Sequence, residues 1–254
     1  MKALIYFTKK ECLESWRTSK LWILVVIFLI FGIMNPLMAK FLPEIIKSTM
    51  GQAIAATLPE PSSLDSWTQF YKNITQMGLI VIVLLASGTI SQEVSRGTLV
   101  NLVTKGLNRT SVVISKAIAL IVQWTFCVSI AFLVTWGYTL YYFPDDKSPH
   151  VVLAVIPLWI FGILLIGMIL AASAAARNSY EGLLLVGGLV VCLFILQLFE
   201  KTKESNPLSL ITENLTILQN ADELGTYFPA MIISAGLFLI FVGCGIQILN
   251  RKKL

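Results

Sequence analysis

Six stretches of this chain carry no charge and are apolar almost throughout: 21–39, 74–91, 117–143, 151–176, 182–199 and 228–249. None shows the two-residue alternation of a barrel strand, so each reads as helix. A helix needs ~20 residues to cross ~30 Å of hydrocarbon, and each stretch has about that length. In hydrocarbon the backbone must satisfy its own N–H and C=O groups, which a helix does within one segment. The pattern predicts an all-α integral membrane protein. With flanking residues its six spans fall at 21–41, 72–91, 114–143, 151–176, 182–199 and 228–249, in a single transmembrane domain over 1–254.

The polar positions define the rest. Residues 1–20 place Leu4, Phe7, Leu13 and Trp16 at helical spacing against Lys9, Lys10 and Arg17. That is an amphipathic helix lying in the interface, its apolar side in lipid. From 40 to 72 the pattern predicts a short surface helix and then a turn-rich return through Pro59 and Pro61. Trp67, Phe70 and Tyr71 there suit an interfacial aromatic belt. Segment 92–113 holds Glu93, Arg96 and Gly97-Thr98, then Leu99, Val100, Leu102 and Val103 as an apolar surface that nothing in the chain covers. Gly106 suits the C-cap of that short helix and Ser111 the N-cap of the next. Segment 204–224 has too many leucines and isoleucines for a solvated loop and too few for a span. Two short helices dipping into the outer leaflet suit it.

Composition agrees with a membrane location. The chain is 56% hydrophobic and 13% charged, against ~25% charged in soluble domains. The net charge of +5 would suggest nucleic acid in a soluble protein. Here 13 of the 19 Lys and Arg lie in 1–20, 92–116, 177–181 and 250–254. By the positive-inside rule those segments and both termini are cytoplasmic, in a plasma membrane, and no nucleic-acid partner is expected. Cys12, Cys127, Cys192 and Cys244 form no disulfide or metal pattern and suit helix packing. The N-terminus lacks a cleavage site, so 21–41 is expected to remain a span.

Catalytic chemistry is missing. No GxxxxGK[ST] phosphate loop, HExxH or GxSxG occurs, and the single histidine, His150, falls in a turn. Nothing points to a catalytic residue, a cofactor or a metal in this chain. The spans lack the ionisable residues of ion-coupled transport. Asn35, Gln76 and Gln123 read first as interhelical hydrogen-bonding groups, with a place on a translocation path as the alternative reading. A membrane protein without an energy source, bearing a cytoplasmic helix with an uncovered face, points to energy from a docked partner.

The N-terminal KKECLESWRTSKLW and the stretch GTISQEVSRGTLVNLVTKGLNRTSVVISKAIA resemble the ABC-2 type permeases. The matching positions in the second stretch are Glu93, Gly97, Thr98, Leu99, Leu102, Arg109, Ser111 and Lys116. The resemblance implies the membrane subunit of an ATP-driven exporter. A separate ATPase subunit, which holds ATP and Mg, would dock at a coupling helix, and a second permease subunit would complete the path. The coupling interface would comprise Glu93, Arg96, Gly97, Thr98, Leu99, Leu102, Lys105 and Arg109, and the connecting helix Glu11, Trp16 and Arg17. Segment 206–220 would match re-entrant outer helices. The motif does not carry the cargo class; the apolar, uncharged spans lead to the expectation of a peptide, antimicrobial or other amphipathic compound. The alternative is a non-transporting assembly or sensor subunit on the same fold.

Overall fold

A computed structural model describes residues 2–50, 60–104, 106, 108–220 and 223–252. Among them there is no strand, and six helices are long and apolar enough to cross a membrane. Helix α1 (Lys2–Arg17) precedes α2 (Lys20–Met50), the first span. The second is composite: α3 (Ser63–Asn73), a π-turn (Ile74–Gly78) and α4 (Leu79–Ala86). Two short helices follow, α5 (Ser91–Ser95) and α6 (Thr98–Thr104). Then come α7 (Arg109–Tyr142), α8 (Val151–Ala175) and α9 (Ser179–Gln197). Four pieces, α10 (Glu200–Lys203), α11 (Ser209–Thr212), α12 (Asn214–Gln219) and α13 (Glu223–Thr226), lead to α14 (Phe228–Arg251). We call the end holding α1, α5 and α6 the lower end, and the end holding Ser63 and the 143–150 turn the upper.

Several helices run further than their apolar stretches. Helix α2 continues to Met50, with Pro36 and Pro43 inside it. Helix α3 starts at Ser63, where an extended turn was expected, because Asp65 accepts hydrogen bonds from the Ser62 N–H (2.9 Å) and Oγ–H (3.0 Å). Asn108, rather than Ser111, caps α7, its Oδ1 accepting from the Thr110 N–H at 3.0 Å. Asn178 caps α9 through the Glu181 N–H at 2.9 Å. Such caps extend a helix beyond the hydrophobic pattern that reveals it.

Helix α8 is the axis, with Leu158, Leu164, Ile166 and Ile169 fully buried. Lipid gives helices little hydrophobic reason to associate, so close approach at small residues matters. A Cβ on Gly245 of α14 would lie 3.5 Å from Ala171 Cα. One on Gly162 would run into the Trp124 indole, whose Nε1–H donates to Trp159 O at 3.1 Å. Gly187, Gly188 and Gly243 face open space. Helices α9 and α14 keep long apolar faces exposed, Leu184, Phe194, Ile232 and Leu239 among them.

Trp67, Phe70 and Tyr71 are not an interfacial belt. All three are buried, with the Trp67 ring 5.4 Å from Phe70 and 5.3 Å from Phe132. The early start of α3 turns that face towards α2 and α7. In the 204–224 segment, Leu208, Leu210, Ile217 and Leu218 are buried, several of them against α8. Its irregular backbone is held by Asn206, which donates to Leu193 O (2.8 Å), and by Asn214, which donates to Ala154 O (3.0 Å).

Candidate coupling site

The lower end brings five charged groups from three elements together. Helix α1 supplies Lys10, Glu11 and Glu14, α5 supplies Glu93, and α7 supplies Lys116. Lys116 is the centre: its side chain is 3% exposed, and its ammonium donates to Glu11 Oε2 at 2.8 Å and Glu93 Oε1 at 2.9 Å. Lys10 sits at the rim, bonded to Glu14 at 2.5 Å and Glu11 at 3.0 Å, and 3.4 Å from Glu93. The buried Phe7 ring lies under both ammonium groups, 5.1 Å from Lys10 and 6.0 Å from Lys116. Phe7 therefore turns into the protein, not into lipid as the interfacial reading expected.

Charge explains why the cluster holds. Partial burial works against the Lys10 charge, but Glu14, Glu11 and Glu93 outweigh it and raise its pKa well above that of a free lysine. Burial alone would raise the Glu14 carboxyl, yet Lys10 overcomes this and the pKa lies below 4.5. The three carboxylates converge within 4.8 Å, as a metal site would require. Two ammonium groups already balance most of that charge. Among the described residues Glu93 Oε2 is buried without a hydrogen-bond partner, so Glu93 has only one bonded oxygen.

The joint from α4 to α5 is built by its neighbours. After Ala86 the chain turns, and Ser173 Oγ of α8 accepts from the N–H groups of Ile90 (2.9 Å) and Ser91 (3.1 Å). Gly88 lies where a side chain would strike Ser179 and Gln92. Gln92 Nε2 donates to Ser179 Oγ at 2.8 Å. Gly97, at φ +70°, then reverses the chain into α6. The cluster lines a cavity of about 600 Å³ that extends past Arg96 and Asn101 on one side and reaches Leu24, Ile82, Leu120 and Gln123 on the other.

The residues expected at a coupling interface divide. Arg96 and Thr98 are exposed, and Gly97 makes the turn. Leu99 is a correction: it is fully buried inside the chain, so it anchors α6 rather than offering itself to a partner. Leu99 lies two residues after Gly97, whose φ of +70° helps set the direction in which α6 leaves the turn. The Leu102 side chain and Lys105 lie outside the described residues. Arg109 points elsewhere, its Nη1 donating to Leu249 O (2.7 Å), Asn250 O (3.0 Å) and Lys252 O (2.9 Å), which closes the C-terminus of α14.

In α1, Glu11 joins the cluster while Trp16 and Arg17 stay exposed, Trp16 packing 4.7 Å from Trp22. Asn35 is fully buried and bonded to Thr135 and Asn73, so it faces no path within this chain. Gln123 donates to Ser15 Oγ at 2.9 Å beside the cavity. Gln76 alone of the three is exposed. The apolar pattern hid Lys10, Glu14, Ser173 and the role of Lys116. One signal was available: Lys116 stands among apolar residues, and a lysine there needs a buried counter-charge.

The chain is similar in sequence to known membrane proteins. A Bacillus subtilis (strain 168) protein, the uncharacterized transmembrane protein YxlG, is 22% identical over 118 residues. The match covers 46% of this chain and 46% of that protein, so the alignment spans about half of each. The model of the ABC-2 family of transporter proteins matches residues 6–254, from within α1 to the C-terminus. The matched region takes in the six spans, the charged cluster and the α5–α6 connection, and the chain belongs to the ABC-2 transporter family.

Proposed function

We propose that this protein is the permease subunit of an ATP-driven exporter and that α5–α6 is where a separate ABC ATPase subunit docks. The family supports a membrane permease that partners with an ABC ATPase in general. The observation that carries the finer reading is buried Lys116, which holds α1 and α5 to one post, α7, through Glu11 and Glu93. A push on α5 then moves α1 as well, because the two share an ammonium group that neither can leave cheaply. Such an ion-paired joint transmits displacement and carries out no bond chemistry. The ATPase-facing surface is polar: Arg96, Thr98, Asn101 and Thr104 are exposed.

The lower end is cytoplasmic on this reading and the membrane is the plasma membrane. Gln76 is exposed on the second span next to Met77 and Ile80. An uncapped amide among apolar residues at that depth favours an outer face that a second permease subunit completes into a path. An amphipathic cargo suits a path that is apolar with few amides.

The test is co-purification with the co-expressed ATPase. Arg96→Glu with Asn101→Trp is expected to abolish association while leaving the chain folded. Association and ATP turnover equal to wild type would overturn the docking site. ATP hydrolysis by the purified chain alone would overturn the division of labour.

A further inference from the structure

The first two spans each carry a backbone defect, and one hydrogen-bonded relay joins the two. Pro36 lies inside α2 and has no N–H, so the Gly32 carbonyl four residues earlier loses its helical donor. The Thr135 hydroxyl of α7 fills that place, donating to Gly32 O at 3.1 Å. The same hydroxyl accepts from Asn35 Nδ2 at 3.3 Å, and Asn35 Oδ1 accepts from Asn73 Nδ2 at 2.7 Å. Asn73 is the last residue of α3, directly before the π-turn Ile74–Gly78. A π-turn leaves the regular i→i−4 ladder, and such bulges are common where helices bend. Thr75, within it, has a buried hydroxyl without a partner among the described residues.

The regions on either side of this level differ. Above it, Asp145 in the 143–150 turn clamps the Ser63 N–H (2.9 Å) and hydroxyl, and Ser66 bonds Thr139 at 2.6 Å. Below it, the lower halves of α2 and α4 border the cavity of about 600 Å³ and join α1 and α5, whose only buried tie to α7 among the described charged groups is the Lys116 pairing with Glu11 and Glu93. Helix α7 passes both regions as one unbroken helix.

We infer that Pro36 and the π-turn form a paired hinge, on which the lower halves of the first two spans swing together against α7 when the Lys116 pairs with Glu11 and Glu93 open, while the upper halves stay clamped. The Asn73–Asn35–Thr135 relay is its latch, and the cavity is the space into which the lower halves move. This rests on the exporter reading, since it supplies the movement that a docked ATPase would drive. It is tested without an ATPase, so its failure and the failure of that reading are distinguishable.

The experiment uses the full chain in phospholipid nanodiscs, with Cys12, Cys127, Cys192 and Cys244 replaced by serine. Spin labels on Ile23→Cys and Val122→Cys report the lower halves, and labels on Leu42→Cys and Leu140→Cys report the upper. All four positions are exposed. The lower pair is expected to show a broad or two-peaked distance distribution, and the upper pair a narrow one. Pro36→Ala returns a backbone donor to Gly32 O and should narrow the lower distribution. Asn73→Leu breaks the latch and should broaden it, with the upper pair unmoved in both variants. A lower pair no broader than the upper would overturn the hinge. So would a lower distribution that neither substitution alters.

Discussion

At the residue scale, Lys116 shows how one buried charge governs three elements. Removing it leaves Glu11 and Glu93 with only the half-exposed rim ammonium of Lys10 as a cation. Lys116→Met is expected to cost about 3–5 kcal/mol, the usual penalty for orphaning buried charges. Adding Glu11→Gln and Glu93→Gln should recover much of it, since neutral groups need no counter-ion. Denaturant unfolding in detergent measures both. If the triple variant were no more stable than Lys116→Met, the loss would be packing rather than charge. The rim pair supplies a pH prediction. The Glu14 pKa is lowered, so its contribution is whole above pH 4.5 and is lost as the pH falls through the lowered value. The Lys10 pKa is raised, so its contribution is whole below pH 10.5 and is lost as the pH climbs past the raised value. Docking of α1 should therefore be flat between those limits. An environment-sensitive dye on Leu13→Cys should report no change there and release in acid.

At the element scale, caps and clamps decide where helices start. Asp145 accepts from the Ser63 N–H at 2.9 Å and holds the start of α3 to the turn after α7. Although slight burial pushes the other way, its hydrogen bonds to Ser63 hold its pKa below 3.8. Asp145→Ala is expected to cost about 1 kcal/mol, as loss of a helix cap does, and to remove an acid-sensitive step below pH 3.8. Thermal unfolding at pH 7 and at pH 3 separates the two effects. Gly97 sits at φ +70°, where a side chain is strained by roughly 1–2 kcal/mol. Gly97→Ala should therefore misdirect α6 and weaken ATPase association more than it lowers the melting temperature. Equal losses in both would show the turn to be merely structural. The apolar pattern located the spans but not these starts. Trp67, Phe70 and Tyr71 sit on a helix whose first turn is polar, and only the Ser62–Asp65 cap reveals that it is a helix. Leu99 failed for a similar reason: which way a seven-residue helix faces depends on the turn before it.

At the scale of the whole molecule, the arrangement follows from one central helix. Helix α8 is buried because α7, α9 and α14 surround it, and Gly162 and Gly245 let them come close. Gly162→Ala is expected to cost about 1–3 kcal/mol through overpacking against Trp124. Gly188→Ala, which meets nothing within 4 Å, should be neutral in the isolated chain. The proposed orientation is checked separately. A cysteine at Asn101 should react with a membrane-impermeant thiol reagent only from the cytoplasmic side, and one at Lys147 only from outside. The reverse pattern would remove the ATPase site from the ATP compartment.

Span number, helical class and the separation of basic from less basic segments were written in the amino-acid order, because each depends on local hydrophobicity and charge. The pairing of Lys116 with Glu11 and Glu93, the burial of Leu99 and the capture of Gly32 O by Thr135 were decided by the tertiary structure alone. Those partners lie 23 to 105 residues apart. No local pattern encodes which helices become neighbours. That is settled by small residues permitting close approach and by buried polar groups that must find one another in a medium offering no water.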